Sequence, residues 1–265
     1  MYQFTYHRPD SLSAAVAQLA SDGDAKALAG GQTLLPTMKQ RLAAPSAIVD
    51  LGKIAELVGI SREGDAIVIG AMTRHADVAT NQAVRQAIPA LAELAGEIGD
   101  PQVRNKGTIG GSLANNDPAA DYPAAALALG ATIVTNKREI AAESFFKGLF
   151  ETALEAGELI VKVRFPIPQK AAYQKFPNPA SRYALVGVFV AKTSAGVRVT
   201  VTGAGANGVF RADAIETALA SNFSAAALAG VSVPADGLNS DIHADAAYRA
   251  HLIGVLAKRA VTAAG

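Results

Sequence analysis

Residues 105–121 read NKGTIGGSLANNDPAAD, and the reading of this stretch decides the fold. Gly107, Gly110 and Gly111 crowd together, small and amide side chains follow, and two aspartates, Asp117 and Asp121, come next. Neither a helix nor a strand favours that composition. Glycine allows positive φ and leaves no Cβ in the way of a close approach. The stretch therefore predicts a loop whose backbone N–H groups converge on an anion. Taken alone, it reads equally well as a tight turn.

A second stretch, AGGQTLL at 29–35, has the same make-up. In both, a short apolar or β-prone run meets Gly-Gly, and a hydroxyl residue follows, Thr33 in one and Ser112 in the other. TLLPTMKQRL predicts a short helix beginning near Thr33, with Pro36 tolerated in its first turn. The start of that helix would add partial positive charge. Two such loops could grip both phosphates of a dinucleotide without a lysine, which suits FAD. Neither is a Walker or Rossmann signature, because no Gly-Lys-Ser/Thr follows. A literal GxGxxG occurs at Gly203–Gly208, but the sequence after it is small and polar. No second parallel strand ending in an acidic residue follows, so it reads as a glycine-rich strand-to-helix turn.

Composition narrows the classes. Of 265 residues, half are hydrophobic and 18% charged, which marks a globular chain with a real core. The net charge of +1 leaves no broad footprint for nucleic acid. Cysteine is absent, which removes disulfides, thiolate metal sites and cysteine-ligated iron–sulfur clusters together. The opening MYQFTYHRPD lacks the pattern of a signal peptide, and no apolar run is long enough for a membrane span. The expectation is a soluble, cytoplasmic protein.

Periodicity gives the organisation. Ser11–Ala20 predicts an amphipathic helix capped by Asp10 or Ser11, and Asn81–Ile98 a single long helix with Ala83, Val84, Ala87, Ile88, Leu91, Leu94, Ala95 and Ile98 on one face. Residues 47–51, 66–70, 132–135 and 159–165 read as strands, and 121–129 as a helix. The proline-rich PIPQKAAYQKFPNPA, 166–180, is taken as a boundary between domains at 1–168 and 172–265. Beyond it, strands at 183–192 and 197–202 and helices at 212–219 and 246–260 make a smaller α+β domain.

With AGGQTLL, TIGGSLANNDPAAD and YQKFPNPASRYALVGV quoted, together with the opening F-x-Y-x-R-P, AIVDLGKI and GELIVKVRFP, the chain resembles the FAD-binding medium subunits of molybdenum hydroxylases. These are the flavin subunits of the carbon monoxide dehydrogenase and xanthine dehydrogenase family. The resemblance runs from about residue 2 to residue 260 in consistent order. It implies an α+β architecture: an FAD-binding domain of the vanillyl-alcohol-oxidase-like (PCMH) type in two subdomains, then a small domain with a three-stranded antiparallel sheet. By resemblance, Ala29, Gly30, Gly31, Gln32, Thr33 and Leu34 match the first pyrophosphate loop, and Thr108, Ile109, Gly110, Gly111 and Ser112 the second, where relatives often carry Asn at the position of Ser112. Asp121 matches an aspartate that hydrogen-bonds the cofactor, Ile160 an aliphatic contact to it, and Lys175 a lysine near the polar edge of the flavin.

The resemblance further implies non-covalent FAD and no substrate acid or base on this chain. It places a molybdenum–pterin cofactor on a large partner subunit and two [2Fe–2S] clusters on a small one, with pairing into a dimer of heterotrimers. The FAD would pass electrons to an external acceptor. A self-sufficient FAD oxidoreductase and a non-enzymatic scaffold are the alternatives. His7, His75, His243 and His251 have no metal spacing, and surface or turn positions are expected for all four. Asp117 and Asp121 suit turn, N-cap or cofactor-contact roles better than a paired acid/base. Arg104, Asn105 and Lys106 suit either a solvated loop or phosphate contacts.

Overall fold

A computed structural model describes all residues, Met1–Gly265. The chain opens with a three-stranded parallel sheet in which Ala47–Asp50 lies between Thr5–His7 and Lys26–Leu28. Parallel strands require crossovers: the helix Leu12–Ser21 joins the two edge strands and the helix Leu34–Lys39 leads from Lys26–Leu28 to the central one, the first helix being capped by Ser11 Oγ at 3.4 Å from the Ala14 amide. Ala15, Val49, Leu51, Ile54 and Leu57 form a small core under this sheet, joined by Leu159 from the next unit.

That unit is a five-stranded antiparallel sheet in the order Ile60–Glu63, Ala66–Gly70, Ile160–Pro166, Thr132–Thr135, Glu139–Ala141. Helices between residues 75 and 129 cover it. The region expected to be one helix, 81–98, is two: Gln82–Ala87 and Pro89–Gly96. Pro89 has no N–H and disfavours helical geometry in the residue before it, and Ile88 sits at φ −140°, ψ 70°. The apolar face survives the break, since Val84, Ile88, Leu91, Leu94 and Ala95 are all fully buried.

The last sheet is antiparallel and has four strands, Lys170–Pro177, Ala184–Thr193, Gly196–Thr202 and Phe210–Arg211, rather than the expected three. The short fourth strand adds on because Thr200 and Val201 pair with Arg211 and Phe210. The presumed linker 166–180 is mostly strand. Pro166 and Pro177 close two strands, and only Ile167–Gln169 connect them. The GxGxxG segment turns one antiparallel strand into another, with Gly203 at φ +81° and Gly208 at φ +100°. It opens no helix, so no dinucleotide fold exists there.

The helix Tyr122–Leu129 is buried along its whole length, as a helix apolar on every side must be. It lies between the middle unit and the four-stranded sheet, and the sheet supplies polar partners at this seam. Thr200 Oγ1 donates to Ala124 O at 2.8 Å, Thr202 Oγ1 to Ala120 O at 2.6 Å, and the Gly203 amide to Pro118 O at 2.8 Å. Tyr173, Phe189 and Ala191 of the same sheet belong to the main core of the middle unit. A second core joins the other face of the sheet to the helices Asp213–Ser221 and Ala246–Ala263.

Candidate cofactor site

One large cleft, about 990 Å³, runs between the first sheet, the helices of the middle unit and the start of the last sheet. It lies at the upper end of the size range of small-molecule and cofactor sites. Both glycine motifs line it.

The first motif leaves the strand Lys26–Leu28 and turns at Gly31, whose φ of +72° requires glycine. The amide N–H groups of Ala29, Gly30, Gly31, Gln32 and Thr33 donate to no acceptor in the chain. Ala29, Gly30 and Gly31 are half-buried and Gln32 and Thr33 exposed, and a run of free donors on a cleft wall is an arrangement that can receive an anion. The helix after it, Leu34–Lys39, is short, and Thr33 makes no side-chain cap.

The second motif is built differently. It is the start of a helix, Ile109–Asn115, capped by Thr108 Oγ1 at 3.2 Å from the Gly111 amide. Its amides are already used: Ile109 donates to Thr73 O at 3.1 Å, Gly110 to Ala71 O at 2.8 Å and Ser112 to Thr108 O at 3.0 Å. The glycines serve packing within the chain. A Cβ on Gly110 would stand 2.6 Å from Ala71 Cβ and 2.7 Å from Ala71 O. A Cβ on Gly30 would stand 2.6 Å from Gly107 Cα, so the two motifs touch. What the second motif offers the cleft is side chain: Ser112 and, one turn on, Asn115, neither bonded elsewhere in the chain.

Twelve expected site residues thus line one cleft: Ala29 through Leu34, Thr108, Gly110, Gly111, Ser112, Asp121 and Ile160. Two do not. Ile109 is fully buried in the main core. Lys175, with 1% of its side chain exposed, sits behind Asp121. Asp121, expected as a cap, makes no side-chain cap. Its Oδ1 accepts from Tyr173 Oη at 2.5 Å and from Lys175 Nζ at 2.9 Å, and Lys175 also donates to Glu97 O at 3.2 Å. Burial pushes the Asp121 carboxyl upward in pKa, against the pull of Lys175. Asp117 makes the expected turn, its Oδ1 accepting from the Ala119 amide at 2.8 Å. Arg104 spends its guanidinium on Ile98 O and Gly99 O at 3.1 and 2.8 Å.

Sequence reasoning did not place several further cleft residues, four of which carry aromatic or ionisable side chains of note. Phe150 stands on a hairpin held by Asn116, whose Nδ2 donates to Gly148 O and Glu151 O at 2.8 and 2.9 Å. Tyr183 follows two left-handed residues, Ser181 at φ +65° and Arg182 at φ +60°. Glu158 presents a buried carboxylate held by Arg138 Nε at 3.1 Å and Thr135 Oγ1 at 2.7 Å, and Arg138 lowers its pKa to about 2. His75, expected at the surface, is buried; burial, then Arg104, lowers its pKa to about 4. Hairpin geometry and left-handed turns of non-glycine residues leave no local pattern, so only the fold reveals these positions.

The donor set suits the diphosphate of FAD. Free amides, a serine hydroxyl and a carboxamide meet on one wall, and the carboxylates Asp121 and Glu158 carry their own cationic partners. Residues 2–168 match the sequence family described as the FAD binding domain in molybdopterin dehydrogenase. The carbon monoxide dehydrogenase medium chain of Hydrogenophaga pseudoflava is 38% identical, over 99% of this chain and 97% of that one. The nicotine 6-hydroxylase medium subunit of Paenarthrobacter nicotinovorans is 36% identical, over 98% and 96%. Among solved structures, carbon monoxide dehydrogenase from H. pseudoflava superposes with a TM-score of 0.89, at 38% identity over 99% of this chain and 97% of that one. Quinoline 2-oxidoreductase from Pseudomonas putida 86 gives 0.88, at 32% identity over 99% and 96%.

Proposed function

This chain belongs to the FAD-binding medium-subunit family of molybdenum hydroxylases, and on that premise we propose that it is the electron-transfer subunit of a heterotrimeric molybdenum hydroxylase. FAD is its cofactor and oxidoreduction its class. In the proposed complex a large subunit carries the molybdenum–pterin cofactor and a small one the [2Fe–2S] clusters. The complex is a cytoplasmic dimer of such trimers. FAD, when bound, supplies a carrier that takes and gives electrons one or two at a time.

The observation that carries this reading is the run of free amides from Ala29 to Thr33 on the cleft wall. In our assignment these amides hold the diphosphate, with Leu34 shaping the end of the loop. Thr108, Gly110, Gly111 and Ser112 line the cleft beside them, while Ile109 supports that loop from behind. Ile160 gives an aliphatic contact, and Asp121 accepts a hydrogen bond from the cofactor. Lys175 acts through Asp121, fixing the orientation and charge of that carboxylate. The cofactor domain covers 1–168; the second domain begins with the strand at Lys170 and so includes 172–265. The chain's own part is to bind and orient. With no cysteine, it leaves cluster ligation to a partner.

The test is an absorption spectrum of the purified full-length chain, followed by acid precipitation. A flavin spectrum with FAD released into the supernatant is expected, and co-expression with a large molybdenum-cofactor subunit and a cysteine-rich small subunit from the same organism should yield one complex. A folded chain that neither holds nor takes up FAD would refute the site. A chain that binds FAD yet oxidises a small substrate unaided would refute the electron-transfer role.

A further inference from the structure

We propose that His75 is a cofactor-binding residue, its Nε2–H donating a hydrogen bond to an oxygen of the sugar–phosphate part of the bound dinucleotide. The inference rests on the cleft being the FAD site. His75 begins the helix His75–Thr80, and its backbone amide donates to Gly107 O at 3.0 Å, which ties it to the second glycine motif. The side chain is buried, lines the cleft, and packs against the Tyr122 ring with centroids 5.3 Å apart. Neither ring nitrogen has a hydrogen-bond partner in the chain, and Nδ1 is shut off completely. Nε2, unlike Nδ1, is not sealed off, so a group in the cleft can supply its partner.

Position says which nitrogen receives it. Nε2 lies against Gly107: a Cβ there would stand 2.5 Å away. Gly107 in turn touches Gly30, in the run of free amides. A buried N–H is left unpaired less often than a bare acceptor, which puts the single proton of the neutral ring on Nε2 and leaves Nδ1 as the lone pair. Burial and Arg104 keep the ring neutral, with a pKa of about 4. Arg104 itself is committed to Ile98 O and Gly99 O. His75 is then the side-chain donor on this part of the wall, and it adds no net charge beside the amides.

The experiment uses the full-length chain stripped of flavin and labelled with ¹⁵N-histidine. The spectrum should show His75 as the neutral Nε2–H tautomer, and added FAD should shift the Hε2 proton and slow its exchange. His75→Leu should weaken FAD binding on the order of tenfold with an unchanged far-ultraviolet spectrum, a loss typical of one hydrogen bond. His75→Gln, whose amide reaches toward the Nε2 position, should recover most of it. Wild-type affinity in a folded His75→Leu chain, or an Nδ1–H ring that ignores FAD, overturns the proposal while leaving the FAD site standing. If His75→Leu fails to fold, the wild-type resonance decides alone. A wild-type chain that takes up no FAD overturns this proposal and the cleft assignment together.

Discussion

Individual residues in this site answer to the chain before they answer to a ligand. Gly110 shows it: the sequence motif suggests room for a phosphate, but the space is taken by Ala71. Gly110→Val is therefore expected to fail in folding rather than selectively in binding, because overpacking against backbone costs at least ~1–3 kcal/mol. A thermal melt of the flavin-free variant checks this, and a melt matching wild type would contradict it. Lys175 is the second case. Its ammonium and the Asp121 carboxylate are both buried, and removing one partner of such a pair costs about 3–5 kcal/mol. Lys175→Met should lower stability by that order in urea unfolding. The double variant Asp121→Leu/Lys175→Met should regain much of the loss, since no charge then stays buried alone. A double variant as weak as the single one would refute this account.

Elements were largely readable where one period ran unbroken. The strands at 66–70 and 132–135 and the inward face of 81–98 follow from alternation and helical spacing. The break at Ile88 was written in Pro89, but the apolar periodicity continues across it and hides the kink. The strand Lys170–Pro177 was missed because its polar residues look solvated. Lys175 is buried only through Asp121, 54 residues earlier, and no local window contains both. The same distance effect hides Glu158, whose partners Arg138 and Thr135 lie on the neighbouring strand and its turn. Its folded pKa of about 2 lies below the ordinary 4.5. The stability it contributes is thus complete above pH 4.5 and disappears as the pH falls through about 2. Glu158→Gln should flatten that part of the stability–pH curve measured by urea unfolding; an unchanged slope would contradict the assignment.

At the scale of the molecule, the two halves are not independent. The sheet that begins at Lys170 covers the helix Tyr122–Leu129 and bonds its carbonyls at Ala124 and Leu127 through Thr200 and Arg198. A fragment of residues 1–168 is expected to lack a cooperative melt and to bind a hydrophobic dye, while the full chain unfolds in one transition. A sharp melt for the fragment would refute this dependence. The sequence signals both glycine motifs and the cleft residues that flank them, because those are local. It gives no sign that the cleft wall at Asp121 is braced from the second half.

That bracing has a consequence for synthesis. Ala124 leaves the ribosome 76 residues before Thr200, which will cover it. At ordinary elongation rates of about 5–20 residues per second, the gap lasts about 4–15 s. For that interval the nascent chain carries a helix that is apolar on every side and lacks the cover of the last sheet. That helix is the segment a nascent-chain chaperone would hold, and slowing translation after residue 129 should raise aggregation more than slowing it after residue 202.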